Sequence, residues 1–280
     1  MSPTAAMNKT DSDHSELSRQ MTVQLSSEQY ERLFLQPQAA KGDLAKRLGN
    51  PTLLGLIGFL IPLSTTVFCL LQFQGSSTAS LTSISGSTYF IGGIAMNVAS
   101  IAEFILGNTF PFAVFMTFGC HWINLGYIAD PLHGIVASYT ADGVPGALSQ
   151  GHNAGQGNYN VVMAIVCFIF TIGSLRTNVP LVVLFFTLIF LFSFVAAADY
   201  QLGFNPSAAG VEHATYYFKI AGGFGFVTML MGWYLAILAT CASTGVPCPL
   251  PDFNLSQKVF PDGTNAQMTE HAGARVENHA

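Results

Sequence analysis

Charge is what this chain has little of. Only 9% of its 280 residues are Asp, Glu, Lys or Arg. Between Arg47 and Asp252 there are seven: Glu103, Asp130, Asp142, Arg176, Asp199, Glu212 and Lys219. From Leu48 to Ala102 there is none. A water-soluble domain of that length needs charges every few residues to coat its surface, so something other than water solvates this stretch. Other absences exclude further classes. No basic stripe exists, which removes the electrostatic footprint of a nucleic-acid binder. The five cysteines, Cys69, Cys120, Cys167, Cys241 and Cys248, have no paired spacing. They read as small hydrophobes, not as a disulfide framework or metal site. The first residues, Met1 to Leu17, are polar and acidic with no apolar core. No cleavable signal peptide is expected, and the first membrane helix serves as the targeting signal. No nucleophile–base pair, phosphate-binding glycine loop or redox motif emerges, so the chain is not expected to be an enzyme or to hold a cofactor.

What is present is apolar. Half the residues are hydrophobic, 23 of them Phe, and the mean hydropathy is +0.45. A bilayer core about 30 Å thick needs roughly 20 apolar residues per helix. The apolar runs read as six helices near 51–73, 87–106, 109–128, 158–177, 179–199 and 214–241. The expected fold is therefore an all-α integral membrane protein with six transmembrane helices. Residues 1–48 form a polar N-terminal tail, 49–242 the membrane domain and 243–280 a polar C-terminal tail. Short amphipathic pieces near Tyr30–Leu35 and Leu44–Leu48 could lie on the membrane surface. The connections are short except 129–157, read as one solvated loop carrying Asp130, His133, Asp142 and His152 at spacings that match no metal motif. Lys41, Lys46, Arg47, Arg176 and Lys258 all fall on one side of an even-spanning chain. That side is taken as cytoplasmic, which leaves the sequons at Asn8 and Asn254 unused.

Several segments together resemble one family. Span one opens Asn50-Pro51-Thr52-Leu53-Leu54-Gly55-Leu56, followed by Gly58-Phe59 and Thr65-Thr66. Spans two and three carry Gly92-Gly93-Ile94-Ala95, Glu103-Phe104-Ile105-Leu106-Gly107-Asn108-Thr109-Phe110 and Phe118-Gly119-Cys120-His121-Trp122. Span six carries Ala221-Gly222-Gly223-Phe224-Gly225-Phe226 and Trp233-Tyr234. In this order they resemble the acetate uptake transporters, the acetate/succinate permeases of bacteria and fungi. Three positions depart from the family pattern: Leu53 for a second Pro, His121 for an aromatic before Trp122, and Leu235 for Asn. The resemblance implies a homo-hexamer in the plasma membrane with one pore per protomer, passing acetate and in some members succinate. It also implies a hydrophobic constriction at Phe59, Phe118 and Leu188.

The residues themselves leave several roles open. Asn50, Asn108 and Asn178 stand where spans one, three and five begin, with Pro51, Gly55, Leu56 and Thr109 beside them. Asn is a strong N-cap, and Pro is favoured in the first turn. The three ends are either plainly capped or together form a weak anion-attracting vestibule. Glu103 is either a structural partner, for instance of Arg176, or a proton carrier. His121 reads as a packing residue or a pH sensor. Lys219 either snorkels to the surface or attracts anions. The small residues of spans one, two and six pack within one subunit or form a seam between subunits. Transport of small monocarboxylates, as an anion channel or with protons, is the expected function. A membrane sensor of acetate and an ammonia exporter are the alternatives.

Overall fold

The computed structural model describes residues 48–141 and 143–255. Six long helices are apolar enough to cross a membrane: α1 Thr52–Leu70, α2 Thr78–Ile105, α3 Thr109–Ala129, α4 Gln150–Ser174, α5 Val179–Phe204 and α6 Ala208–Thr244. The described residues contain no β-strand beyond isolated bridges. The chain is a multi-pass membrane protein, as its composition requires. The expected surface segments at 30–35 and 44–47, the rest of the N-terminal tail and residues 256–280 lie outside the described residues.

Four boundaries differ from the apolar-run reading, for a common reason. Helix α4 begins at Gln150 rather than 158, because its first turns carry Asn and Gln that an apolar window rejects. Those polar side chains are satisfied inside the fold: Asn153 donates to the carbonyls of Ala147 and Ser149, each at 2.9 Å. Helix α5 continues to Phe204, past Asp199, and α6 starts at Ala208 behind a Ser207 cap that accepts from Gly210 N–H. Helix α2 starts at Thr78 through a 3₁₀ turn over Thr78–Ile84 and becomes a π-helix over Thr88–Ala95 before ending as α-helix.

The segment 129–157 is not a free loop. It folds into short turns at Pro131–His133, Ile135–Ser138 and Gly146–Leu148. The turns are stitched together, as Asp130 caps Leu132 N–H and Gly146 N–H donates to Thr140 Oγ1. This segment is a compact cap over one end of the bundle.

Backbone packing runs α4–α5–α6–α1–α2–α3 around the bundle, with α1 also touching α3. Helices α3 and α4 meet mainly through side chains. Phe110 packs on Phe170 with ring centroids 5.9 Å apart, and His121 stacks on Tyr159 at 5.8 Å. Small residues let the other pairs close. A Cβ at Gly92 would stand 2.6 Å from Trp122 Cγ, and one at Gly225 would stand 2.7 Å from Val67 Cγ2. These glycines of spans two and six therefore pack within the subunit, whereas a Cβ at Gly223 would meet nothing.

Two polar bonds tie α6 inward. Trp233 Nε1–H donates to Ser64 Oγ of α1 at 3.0 Å, and the Thr187 and Thr228 hydroxyls pair at 2.7 Å between α5 and α6. After Gly245 the chain turns back on the bundle. Val179 N–H donates to Phe253 O and Leu255 N–H donates to Thr177 O.

Overpacking a filled site of this kind costs about 1–3 kcal/mol. Gly92→Leu should therefore lower the thermal midpoint of the detergent-purified protein by several degrees or more, while Gly223→Leu leaves it unchanged. Equal midpoints for the two would show that the α2–α3 contact does not depend on Gly92.

Candidate functional site

Phe59, Phe118 and Leu188 come from three helices and lie at matched depth. They stand seven, nine and nine residues after the first residues of α1, α3 and α5. At 1.5 Å per residue this is about 10–14 Å from the helix starts. All three are buried. The Phe59 and Phe118 rings meet edge to face at 5.3 Å, and Phe118 stacks at 6.4 Å on Phe185 and 6.5 Å on Phe192 of α5. Leu188 lines the same cavity as the two rings.

That cavity, about 700 Å³, occupies the end of the bundle where α1, α3 and α5 finish. The cap forms part of its wall through Val136, Ala137, Thr140 and Gly146. Beyond the rings, toward the helix starts, lies a pocket of about 30 Å³. Its lining is wholly apolar and includes Leu56, Phe115, Leu181, Leu184 and Leu235. An apolar void of roughly that size has no partners for a water molecule and stays dry. The apolar packing around Phe59, Phe118 and Leu188 thus extends beyond the three residues taken from the motif. Leu181 and Leu184 carried no distinguishing sequence signal, because α5 is apolar on every face.

The helix starts at the other end are bound up internally. Asn178 Oδ1 caps Leu181 N–H at 2.9 Å, with Pro180 in the first turn. Asn50 Oδ1 accepts from Thr52 N–H at 2.9 Å, and Pro51 is buried beside it. Asn108 does not cap α3 with its side chain. Its Nδ2 donates instead to Glu103 Oε2 at 2.6 Å, and Thr52 Oγ1 donates to Glu103 Oε1 at 2.6 Å. Glu103 is fully buried and joins the start of α1 to the α2–α3 turn. Gly55 lies flat against the Phe115 ring. Thr109 is exposed at the start of α3, Arg176 is half-buried in the α4–α5 turn, and Lys219 is exposed on α6, away from the cavity lining.

The family follows from the sequence as a whole. Residues 34–257 match the GPR1/FUN34/yaaH family. The chain belongs to that family. Among its relatives is protein alcS of Aspergillus fumigatus, 34% identical over 84% of this chain and 86% of the relative. Another is acetate transporter protein patA of Aspergillus clavatus, 28% identical over 69% and 74%. The solved structure of the bacterial acetate channel SatP superposes with a TM-score of 0.56 at 23% identity, over 73% of this chain and 98% of that one. At that identity the likeness concerns the fold.

Within this family fold, the cavity holds polar residues that the sequence reading placed elsewhere. Asp199 was expected as the last residue of span five, at its outer end. It sits inside α5, buried, because the helix runs one more turn than the apolar run suggests. Asn160 donates to it from α4 at 2.9 Å. His152, expected in the loop, is on α4 and lines the cavity with Asp130 of the cap. His133, 3.7 Å from Asp130, completes the acid–base groups of the cap among the described residues. The described residues include no cluster of potential metal ligands. The run Ala196-Ala197-Ala198-Asp199-Tyr200, with no turn residue in it, was the available signal that the helix continues.

Leaving a buried polar group unsatisfied costs about 1–3 kcal/mol. Glu103→Ala strands the Thr52 hydroxyl and the Asn108 amide, and should lower the thermal midpoint and the yield of folded protein. Glu103→Gln keeps an acceptor for Thr52, and Asn108 can turn its amide to match, so its midpoint should stay near the wild-type value. If both variants melt with the wild type, the junction is not a structural tie.

Proposed function

We propose that this chain carries small carboxylates, the monocarboxylate acetate first among them and the dicarboxylate succinate as a further candidate, across the plasma membrane. It does so as a homo-hexamer with one pore per protomer and with both termini cytoplasmic. The observation that carries the reading is the dry constriction. Phe59, Phe118 and Leu188 close a large vestibule at one depth, with an apolar layer behind them. Apolar side chains meeting in a narrow pore expel water. An ionised carboxylate leaving water without a partner meets a large desolvation cost, whereas the neutral acid meets a far smaller one. Passage of the acid, or of the anion together with a proton, follows from that difference. Family membership and the names of patA and SatP support acetate as the substrate.

The second mouth of the path lies at the helix starts, beside Asn50, Pro51, Asn108, Thr109 and Asn178, whose internal bonds hold that end closed. Glu103 and Asn108 act there as structural partners, and His121 faces the vestibule. A second reading, a membrane sensor of acetate without flux, draws on Leu235. It is buried in the apolar layer, where it helps to close the path.

Labelled acetate uptake into proteoliposomes separates the two. Uptake should rise with an inward proton gradient. Uptake indifferent to the gradient would indicate an anion channel, and no uptake by assembled protein would indicate the sensor. In the same vesicles, Phe59→Ala and Leu188→Ala should widen the constriction and admit bulkier carboxylic acids that the wild type excludes. Unchanged flux and selectivity in both variants would remove these residues from the path.

A further inference from the structure

One wall of the vestibule carries polar side chains from three helices: His121 on α3, Tyr159 and Asn160 on α4, and Asp199 on α5. They are joined in two pairs. His121 Nδ1 lies 2.9 Å from the Tyr159 hydroxyl, with the two rings stacked within 7° of parallel. Asn160 Nδ2 bonds both its own helix, at Gln156 O, and Asp199 Oδ2, each at 2.9 Å. Asp199 is 8% exposed. Among the described residues no group donates to its other oxygen, Oδ1.

That is an unusual setting for a carboxyl group, since buried carboxylates ordinarily take a cation or several donors. The neighbours supply neither. The other ionisable side chains lining the vestibule are His121 on α3, His152 and Tyr159 on α4, and Asp130 of the cap. No Lys or Arg lines it among the described residues. Helix α6 contributes Phe218 to the lining, and its Glu212, His213 and Lys219 are exposed. On α5 itself, Tyr200 donates to Asn158 Oδ1 at 2.6 Å. An ionised Asp199 would thus place an uncompensated negative charge on the route of an incoming anion.

We propose that Asp199, steadied by Asn160, is a carboxyl-binding site of the vestibule, at which the aspartic acid and the carboxylate of the ligand share one proton. The bond is a hydrogen bond between Asp199 Oδ1 and a ligand oxygen. No covalent bond forms, and the pair carries one proton and one net negative charge. Two carboxylates at contact cannot both ionise, whereas one proton between them converts repulsion into a strong bond. The ligand class is a small monocarboxylate, so the site rests on the transport reading above. The site stands eleven residues beyond Leu188 on α5, about 16 Å along the helix. It therefore loads ligand and proton together before the dry constriction.

The test is acetate flux into proteoliposomes of the full chain across a pH series, comparing wild type with Asp199→Asn. The amide is isosteric, permanently neutral and keeps a donor. Titration of acetic acid itself is common to both proteins, so the ratio of variant to wild-type flux isolates Asp199. The ratio should rise with pH by up to about tenfold per unit, the limit for one proton. Asp199→Glu should restore the wild-type profile in part. A ratio constant across the series would overturn the site while leaving acetate transport standing. Infrared difference spectra of the purified wild type on adding acetate give an independent readout. A protonated-carboxyl band should change, and that change should be missing from Asp199→Asn. A band change shared by both proteins would overturn the assignment even if the variant assembles poorly. No acetate flux from wild-type vesicles at any pH would overturn the transport reading, and the site with it.

Discussion

The Phe118 ring ties α3 to α4 and α5, which its backbone scarcely touches. Helix α3 reaches α1 through Phe59, α4 through Phe170 and α5 through Phe185 and Phe192, all around this one side chain. Aromatic pairs of this kind add about 0.5–1.5 kcal/mol each beyond the area they bury. In hydrocarbon that contribution matters more than in water, because lipid gives no hydrophobic drive toward helix association. The rings that stabilise the α1–α3–α4–α5 contact are the same rings that close the cavity. Stability and closure therefore cannot be tuned separately at Phe118, nor at Leu188, which is equally buried in the same cluster.

The same solvent sets the terms for the polar residues. Backbone and side-chain polar groups inside the bilayer must find partners within the protein. Glu103, Asn108 and Thr52 meet this demand in a closed set at the helix starts, as do Thr187 with Thr228 and Trp233 with Ser64. Each of these bonds crosses between helices, so each fixes a register as well as satisfying a group. The vestibule wall is built differently. His121, Tyr159, Asn160 and Asp199 also bond across helices, but their pairs border open volume and leave capacity unused. The Asp199 carboxyl takes one donor, from Asn160, and borders the open cavity.

How much of this was legible in the sequence follows from what hydrocarbon selects. The six spans were legible because a bilayer removes charge over long runs. Their ends were less so where polar residues point inward: Gln150, Asn153 and Gln156 hid the start of α4, and Asp199 looked like the end of α5. The capping logic was right for Asn178. It misassigned the Asn108 side chain, since no local pattern shows that Glu103 lies within reach of it. Phe59, Phe118 and Leu188 became candidates only through the family motif. A helix apolar all round has no amphipathic stripe to mark which of its residues face a pore. Counting from the Asn residues at the three helix starts puts the three at similar depths, a check the sequence already allowed.

The two sides of the ring cluster differ in kind, and under the proposed transport function the asymmetry bears on how a ligand crosses. On one side stands a vestibule large enough for many waters, with polar groups on its wall and a folded cap across it. On the other, beyond the rings, a wholly apolar layer from Leu56 to Leu235 stands before the tightly bonded helix starts. The rings and that layer must part for anything to pass. The contacts that must yield are side-chain contacts, because α3 and α4 are joined by little else. Rotation of rings within a bundle held by α1–α2, α5–α6 and α1–α6 backbone packing opens a route without taking the fold apart. A ligand that arrives with its charge already neutralised meets only that rearrangement. One that arrives as a bare anion meets the rearrangement and its own desolvation together.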